Sequence, residues 1–502
     1  MKRTRDRQLT FAFADSPQGG KGGSRRDVSR GRAYLLLTVE AMRPVDLVAR
    51  GADHEGLMER VAAPWNLAQA LLNVARNKGA PGIDGQSVTE VVEASPRLLP
   101  ELSRMLLDGS YQPGDIRRVW IPKPGGGQRG LGIPNVVDRW VQQAMLQILQ
   151  PIFEPTFHSS SHGFRPMRGA HTAIAQAKQY LEGGKQWVVD LDLSKFFDRV
   201  NHQRLLDRMG QRVDDRRLLK LIKRMLKAKV VLPEGTRVKT EEGTPQGGPL
   251  SPLLSNIVLD ELDWELDRRG LHFVRYADDC NIFVGSERAG NRVMAATRNF
   301  IEKRLRLVVN EEKSAVARPD QRHFLGFRLC RKEDGKVEVH ISQRTKDRID
   351  ARIRELTPAR WGRSIDACFA RVNQYLKGWS AYFRVCTEEG AVLFARFDAH
   401  IRRRIRQVIA CQKKRPRFLL RHLLKRGVSR GAAYKAAYCR RGKWNLSNRP
   451  GMTRAYPNKW FQGKLVSLAT QWVLLNPPRD LVSEPKQGFL FDIETLVPKS
   501  RM

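Results

Sequence analysis

Apolar residues between positions 56 and 335 follow two kinds of pattern, one helical and one strand-like. They return every three or four positions in WNLAQALLNVARNKG and VVDRWVQQAMLQILQPIF, which predicts amphipathic helices. Short runs rich in β-branched and aromatic residues, RRVWIPKP, WVVDLDL and HFVRYADDCNIFV, predict strands. Because helices and strands do not alternate regularly, the pattern predicts an α+β fold rather than repeated βαβ units.

Beyond residue 335 the pattern becomes helical and strongly basic. Ile349, Ile353 and Leu356 fall on one face of a helix, and arginines and lysines fill most of the other positions. A second apolar stripe of similar spacing consists of Phe394, Phe397, Ile401, Ile405 and Val408. Residues 396–480 include 22 Lys or Arg and only 2 acidic residues, so this region needs an external anion to neutralise it.

The first 55 residues lack such periodicity. The stretch QGGKGGSRRDVSRGR is rich in Gly, Ser and Arg, which predicts a flexible basic tail over residues 1–55. The N-terminus does not have the pattern of a secretory signal, and apolar runs such as YLLL are too short to span a bilayer. We therefore expect an intracellular, cytoplasmic protein with no membrane partner, and association with a bacterial nucleoid is compatible with this location.

Charge narrows the class of partner. The 502-residue chain has a formal net charge of +38 at pH 7, which favours nucleic acid over an anionic membrane surface as the main partner. Trp444, Tyr456, Trp460 and Phe461 lie among basic residues and are able either to stack on bases or to pack in a core. The six cysteines form no C-x-x-C pair, which argues against a zinc ribbon or a disulfide framework.

The first candidate for chemistry is RYADDCNIFV, in which Asp278 and Asp279 interrupt a strand-like run. Carboxylates are rarely buried without a partner, so the pair either turns outward or holds cations. The flanking alternation predicts two short strands joined by a tight turn at the two aspartates. A plain polar turn stays open as an interpretation of this stretch alone.

A second acidic stretch, WVVDLDLSKFFDRVNH, contains Asp190, Asp192 and Asp198. In a strand, Asp190 and Asp192 point to the same face, and either is able to meet Asp278 across neighbouring strands. Three converging carboxylates suit two Mg²⁺ ions, which prefer oxygen ligands. Two such ions about 4 Å apart support an in-line displacement at phosphate, with a nucleic acid and a nucleoside triphosphate as plausible substrates.

Eight motifs in one order resemble the reverse transcriptases encoded by group II introns, which also act as maturases. The likeness covers most of residues 60–470. The motifs are NKGAPGIDG at 77–85, WIPKPGGGQRGLGIP at 120–134, SSSHGFRPMRGAH at 159–171, WVVDLDLSKFFD at 187–198, GTPQGGPLSPLLSNIVLDELD at 243–263, YADD at 276–279, NEEKS at 310–314 and FLGF at 324–327.

The resemblance implies a right-hand polymerase whose fingers and palm, with an antiparallel palm sheet, cover residues 56–338. An α-helical thumb is expected over 339–392, a basic helical maturase-specific and DNA-binding region over 393–480, and a C-terminal tail over 481–502. Many relatives end in an endonuclease domain with paired cysteines. No such pattern follows residue 480, so we expect no cleavage of a second DNA strand.

The function implied is RNA-directed DNA synthesis together with binding of group II intron RNA, which assists splicing and target-primed retrohoming. The implied partners are template RNA, intron RNA, the DNA target and primer, and deoxynucleoside triphosphates.

In this family the hairpin aspartates and the earlier strand aspartate bind the catalytic metal ions. Asp192, Asp278 and Asp279 therefore match the catalytic and metal-binding positions, with Mg²⁺ as the expected ion and Mn²⁺ as an alternative. Asp192 is favoured over Asp190 because the family has a bulky residue five positions after the catalytic aspartate, and here that residue is Phe197.

The same resemblance implies nucleotide contacts. Lys123 and Arg129, on either side of PGGGQ, match fingers residues that hold the incoming triphosphate. Phe197 packed under the sugar leaves no room for a 2′-hydroxyl, so deoxynucleotides are expected to be preferred. Gln246 matches a residue that contacts the incoming nucleotide, and Lys313 matches an active-site lysine.

Contacts to nucleic acid are expected from basic side chains in the fingers, the thumb and the maturase-specific region. These residues are Arg165, Arg348, Arg352, Arg402, Arg403, Arg404, Lys413, Lys414 and Arg415.

Three other functions stay open at this point. A domesticated reverse transcriptase with a repair or defence role would carry the same motifs. A non-catalytic RNA-binding splicing factor would not need metal ligands, so the presence of Asp192, Asp278 and Asp279 argues against this function. An RNA-templated RNA polymerase would not be expected to have Phe197 or the Y-x-D-D sequence.

Overall fold

The computed structural model describes residues 25–41, 56–122, 126–387 and 389–476. The chain divides into two compact units, Met1–Arg318 and Pro319–Met502. None of the helices in the described ranges is long and apolar enough to cross a membrane.

The described part of the first unit contains helices packed around two small sheets. Its helices are α1 Arg25–Ala41, α2 Leu57–Ala62, α3 Pro64–Arg76, α4 Val88–Glu93, α5 Ser95–Leu107, α6 Val136–Phe153, α7 Ala170–Glu182, α8 His202–Gly210, α9 Arg216–Leu226, α10 Ser251–Arg268 and α11 Glu287–Phe300. Its strands are β1 Ile116–Pro122, β2 Gln128–Ile133, β3 Trp187–Asp192, β4 Val230–Val231, β5 Arg237–Val238, β6 His272–Tyr276, β7 Asp279–Val284 and β8 Ala315–Ala317.

The central sheet has the strand order β6-β7-β3-β8, and all its neighbouring strands are antiparallel. Val189, Leu191 and Ile282 face the core, which continues through α6 and α10. Most residues of these strands are apolar and buried, and at one end of the sheet β3 finishes in Asp192 and β7 begins with Asp279. Burial of the apolar stretch therefore holds the acidic end of the sheet in place.

The other sheet has the order β2-β1-β4-β5. β1 and β2 form an antiparallel hairpin in which Ile121 lies opposite Arg129, as the strand-like RRVWIPKP segment predicts. The tip of this hairpin, residues 123–125, lies outside the described residues. The predicted phosphate contact Lys123 belongs to this tip.

The N-terminal segment requires a correction. Residues 1–55 are predicted above to be a flexible tail, yet Arg25–Ala41 forms α1, and Leu35 in this helix is completely buried. Gly31 approaches the backbone of Val92 so closely that a side chain would overlap it. Burial of Leu35 and the small size of Gly31 are long-range effects, which the local Gly/Ser/Arg composition does not reveal. The remaining residues of this segment lie outside the described ranges.

The second unit consists of a β-hairpin followed by helices. Its described elements are β9 Phe327–Arg331, β10 Val337–Ile341, α12 Gln343–Leu356, α13 Ile365–Phe383, α14 Glu389–Gln412, α15 Pro416–Lys425, α16 Arg430–Ala437, α17 Gly442–Leu446, α18 Pro450–Ala455, α19 Asn458–Phe461 and α20 Leu468–Leu475.

Both apolar stripes predicted for this region face its core. Ile349, Ile353 and Leu356 of α12 are buried, as are Phe394 and Ile405 of α14. The antiparallel central sheet in the first unit and the helices in most of the second confirm the predicted α+β fold with a helical C-terminal region.

Candidate active site

The three predicted catalytic aspartates lie at one end of the central sheet. Asp192 is paired directly with Asp279 across β3 and β7, and Tyr276 is paired with Asp279 across β6 and β7. Only Ala277 and Asp278 remain to make the turn, and Ala277 has a positive φ of 58°. The predicted hairpin is therefore present, but Asp279 is the first residue of β7 rather than part of the turn.

Electrostatics link Asp278 to its neighbours. Burial raises the pKa of Asp278 and the negative charge of Asp192 raises it further, while Arg129 and Lys313 act in the opposite direction. Lys313 Nζ lies 3.2 Å from Asp192 Oδ2. Asp279 Oδ1 accepts a hydrogen bond from Asn281 Nδ2 at 3.3 Å. Carboxylates and cations predicted from separate motifs therefore influence one another at this end of the sheet.

The NEEKS motif holds the backbone of Asp192. Asn310 N donates to Asp192 O at 2.8 Å, and Asp192 N donates to Ser314 Oγ at 3.0 Å. Ser314 N donates in turn to Asn310 O at 2.9 Å, which closes the 310–314 turn. Only Lys313 in this motif is assigned a role from the sequence; the polar Asn310 and Ser314, which begin and end the motif, were the available signal for the other two contacts.

The Phe197 segment is held by the GTPQG motif. Thr244 N donates to Phe197 O at 2.6 Å, and His202 Nε2 lies 2.6 Å from Gly243 O. Gly243 has a φ of +92°, and a Cβ there would lie 2.8 Å from Phe197 O, so glycine suits this position. Phe197 is buried beside Phe196, and its backbone fixes the start of the loop that carries Gln246.

Gln246 and Arg129 contact each other directly, although 117 positions separate them in the sequence. Arg129 Nε donates to Gln246 Oε1 at 2.7 Å, and Gly132 N donates to Gln246 O at 2.9 Å. Ser251 Oγ at the start of α10 donates to Pro245 O at 2.7 Å. The loop before α10 is therefore fastened to both β2 and the helix, and Gln246 is presented between them.

Comparison with known proteins gives the family. The family profile described as reverse transcriptase (RNA-dependent DNA polymerase) matches residues 121–329, and that of the group II intron maturase-specific domain matches residues 346–427. Protein YkfC of Escherichia coli K12 is 35% identical over 326 residues, which cover 57% of this chain and 85% of YkfC. The chain belongs to the group II intron-encoded reverse transcriptase/maturase family.

Two further relatives carry intron names. Group II intron-encoded protein LtrA of Lactococcus lactis is 31% identical over 335 residues, 54% of this chain and 55% of LtrA. The putative COX1/OXI3 intron 1 protein of Saccharomyces cerevisiae is 29% identical over 322 residues, 53% of this chain and 38% of that protein. The match thus spans about half of LtrA and less of the yeast protein. The matched domains are those of an RNA-directed DNA polymerase with a role in intron splicing and mobility.

Reverse transcriptases generally use divalent metal ions. Within the part of the chain that the structure describes, no group of three or more His, Cys, Asp and Glu side chains stands in a metal-holding arrangement. The donor chemistry nevertheless fits a hard divalent cation, because carboxylate oxygens are its preferred ligands. Burial and, to a smaller extent, the charge of Asp192 raise the pKa of Asp278, and a bound cation would offset both effects.

One predicted nucleic-acid contact of this reverse transcriptase/maturase needs correction. Arg165 was expected to touch template, but its side chain is only 4% exposed. It pairs with Glu154 at 2.8 Å and donates to His158 O at 2.7 Å and Ser161 O at 2.9 Å. These contacts fix the 154–165 segment, so Arg165 has a structural role.

The predicted nucleic-acid contacts in the second unit differ in exposure and in whether the side chain has a partner within the protein. Arg404 donates to Thr357 O at 2.8 Å, and the Arg403 guanidinium lies 3.8 Å from the centre of the Trp444 ring. These two side chains have internal partners. Lys414 and Arg415, in contrast, are exposed in the turn between α14 and α15. The remaining predicted residues are the exposed Arg348 and Arg352, of which Arg352 pairs with Glu355 at 2.6 Å, and the half-buried Arg402 and Lys413.

Four aromatic residues near the C-terminus were expected either to stack on bases or to pack in a core, and they differ in burial. Tyr456 and Phe461 are buried, so they pack in the core of the second unit. Trp444 and Trp460 are half-buried, but each has a basic side chain over its ring, and Lys464 Nζ lies 4.4 Å from the centre of Trp460. Their faces are engaged within the protein by cation–π contacts.

Proposed function

We propose that this chain synthesises DNA on an RNA template, with Asp192, Asp278 and Asp279 as ligands of two Mg²⁺ ions, or of Mn²⁺ in their place. The observation that carries the proposal is the register of the central sheet, in which Asp192 lies opposite Asp279 and Asp278 occupies the adjoining turn. A carboxylate-lined sheet end beside two cationic side chains suits a reaction between a primer hydroxyl and a triphosphate.

When bound, the metal ions supply activation of the primer 3′-hydroxyl and neutralisation of the leaving pyrophosphate. The chain's own cations add to this neutralisation. We infer that Arg129 and Lys313, whose charges both lower the pKa of Asp278, would contact the phosphates of a triphosphate bound at this end of the sheet. Lys123, in the hairpin tip outside the described residues, is proposed to contact the same phosphates.

Phe197 and Gln246 are proposed to select and orient the nucleotide. The backbone of Phe197 is held by the hydrogen bond from Thr244 N, and its buried ring packs against Phe196, which supports a role of this ring in excluding a 2′-hydroxyl. Gln246 is presented by its bond to Arg129, which couples recognition of the nucleotide to the residue that holds its phosphates. Side chains that are already held in position favour the reaction, because they do not have to be rearranged when the transition state forms.

We further propose that residues 339–392 track the template–primer duplex and that residues 393–480 bind intron RNA and target DNA. The charge of the latter region and the exposed Lys414 and Arg415 support this proposal. These contacts would assist splicing and target-primed retrohoming. Since its substrates are RNA, DNA and dNTPs, the protein is proposed to act inside the cell.

Primer extension tests the proposal. A poly(rA)–oligo(dT) duplex is incubated with the full-length protein, dTTP and Mg²⁺, with matched reactions containing UTP, Mn²⁺ or EDTA. We expect extension with dTTP, a much weaker reaction with UTP, partial or full activity with Mn²⁺ and none with EDTA. No extension under conditions in which the duplex is bound tightly would contradict the proposal and favour a splicing factor that only binds RNA.

A further inference from the structure

Arg275 in β6 lies two residues before the catalytic turn, and its relative exposure is 0%. Burying a guanidinium costs free energy unless its charge and all its N–H groups find partners. Arg275 is not among the residues assigned above to metal, nucleotide or template. Its surroundings therefore need an explanation of their own.

All five N–H groups of the Arg275 guanidinium have acceptors. Nε and Nη2 donate to the two carboxylate oxygens of Asp263 at 2.7 Å and 2.5 Å. Nη2 also donates to Ser161 Oγ at 2.8 Å, and Nη1 donates to Asn256 Oδ1 at 3.1 Å. The remaining bond, from Nη1 to Ala277 O at 2.9 Å, reaches the catalytic turn itself.

The acceptors come from elements far apart in the sequence. Asn256 and Asp263 lie two helical turns apart on α10, and Ser161 belongs to the SSSHGF segment. Ser161, Asn256 and Asp263 are as fully buried as Arg275. One side chain thus ties the catalytic hairpin to a helix and to a loop from two other motifs.

The SSSHGF loop also holds the catalytic hairpin through backbone hydrogen bonds. His162 N donates to Arg275 O at 2.9 Å, and Arg275 N donates to Ser160 O at 2.9 Å. Gly163 lies so close to Ala277 N that a Cβ at residue 163 would overlap it. Asn256 Nδ2 donates to Gly163 O at 2.9 Å, so α10 holds this loop as well as Arg275.

The turn needs such support because Ala277 has a positive φ of 58°, which is unfavourable for a residue with a Cβ. Such conformations persist when the surrounding structure fixes them in more than one way. We propose that Arg275 is a positioning residue that holds the Ala277–Asp278 turn in its catalytic conformation through the bond to Ala277 O. This inference rests on the proposed function, in which Asp278 and Asp279 are metal ligands.

The geometry specifies arginine. Lysine has a similar charge but only three N–H donors on one nitrogen, and it cannot satisfy Asp263, Asn256, Ser161 and Ala277 from one planar group. Arg275→Lys therefore keeps the positive charge and removes the planar guanidinium with its five N–H donors. Ser161→Ala is a milder variant: it keeps the Asp263 pair, but it leaves one buried Nη2 N–H of Arg275 without its acceptor and so weakens the hold of the guanidinium on Ala277 O.

The test combines kinetics with hydrogen–deuterium exchange on the full-length protein. Single-turnover incorporation of dTTP on poly(rA)–oligo(dT) gives the maximal rate and the apparent affinity for dTTP. Exchange is followed in peptides covering residues 272–284 and, for comparison, 251–262. Arg208→Met is the matched control, because Arg208 pairs with Asp260 and Glu261 of the same α10 and makes none of the bonds to the turn described above.

For Arg275→Lys we expect the maximal rate to fall by about 100-fold, since a displacement of about 1 Å in a catalytic group has that effect. The apparent affinity for dTTP is expected to change by less than about twofold, because the loss affects the reaction step rather than uniform binding. Exchange is expected to rise in 272–284 and to stay unchanged in 251–262. Ser161→Ala should show smaller changes in the same direction, and Arg208→Met neither change.

The inference is overturned if folded Arg275→Lys and Ser161→Ala keep the wild-type rate and the wild-type exchange in 272–284. It is also overturned if active-site titration shows fewer active molecules that each retain the normal rate, since that pattern indicates a structural role alone. If Arg275→Lys does not fold, Ser161→Ala decides by the same criteria. Exchange needs no activity, so a failure of the polymerase proposal in the wild type would be distinguishable from a failure of this one.

Discussion

Asp278 carries a charge that the fold makes costly, since burial and the neighbouring Asp192 both raise its pKa. A cation removes that cost, which is the physical reason to place carboxylates together at the end of an apolar sheet. Asp190 is also buried, but it lies two residue pairs further from the turn than Asp192, opposite Asn281. The register thus agrees with the choice of Asp192 rather than Asp190, a choice that periodicity alone left open.

At the same scale, Phe197→Ala is expected to weaken discrimination against ribonucleotides. Removing the ring opens space for a 2′-hydroxyl, so the ratio of kcat/KM for dTTP over UTP should fall by about 10- to 100-fold. Steady-state extension on poly(rA)–oligo(dT) with each nucleotide gives the ratio. Phe196→Leu is the control: this neighbour is buried in the core, so its replacement should lower stability and leave the ratio unchanged. An unchanged ratio in Phe197→Ala would remove the sugar-excluding role.

Elements, rather than single residues, bring the nucleotide-binding groups together. We expect the effects of Arg129→Ala and Gln246→Ala on kcat/KM for dTTP to be non-additive, because each change also disturbs the partner's position. A double-mutant cycle should give a coupling free energy of about 1 kcal/mol or more. Arg118→Ala on β1, which removes a bond to Gly130 O, serves as a control that should not couple to Gln246. Strictly additive effects would show that the contact does not operate during the reaction.

The SSSHGF segment contains a buried histidine with a pH-dependent consequence. Burial lowers the pKa of His162 to about 4, and its ring nitrogens lie 2.8 Å from Thr172 Oγ1 and 2.6 Å from Gln176 Oε1. The unfolded chain binds the proton near pH 6.5, so the stabilisation is complete above that pH and is lost as the pH falls towards 4.

We therefore expect the free energy of unfolding to drop by up to about 3 kcal/mol more in the wild type than in His162→Gln between pH 7 and pH 4. Urea titrations of both proteins at several pH values measure this difference. Parallel pH profiles for the two proteins would show that His162 is not the titrating group.

Sequence patterns predicted elements whose signals are local. The alternation around Asp278 gave the hairpin, and the 3.6-residue spacing of Ile349, Ile353 and Leu356 gave the buried face of α12. Features that depend on distant partners were missed. Arg165 is a basic residue in a polar loop, and only the position of Glu154 in space turns it inward. Helix α1 was missed for the same reason, because Gly31 and Leu35 are explained by what they pack against.

For the whole molecule, the excess charge of +38 is expected to make RNA binding strongly salt-dependent. Replacing both Lys414 and Arg415 with Gln should reduce the slope of log K against log salt by about 1.4–1.8, since each phosphate contact contributes about 0.7–0.9 to that slope. Filter binding of a structured RNA at several salt concentrations measures the slope. Arg404→Gln should instead lower stability, because Arg404 is bonded to Thr357. An unchanged slope in the double variant would show that Lys414 and Arg415 do not contact the RNA.

The most direct test of the central claim compares extension and binding in Asp278→Ala, with Asp198→Ala as the control. Asp198 is an exposed carboxylate six positions after Asp192. We expect Asp278→Ala to bind poly(rA)–oligo(dT) about as tightly as the wild type and to lose extension with dTTP, while Asp198→Ala keeps both. Persistent extension in Asp278→Ala, or a wild type that binds the duplex without extending it, would contradict the assignment of this sheet end as the polymerase active site.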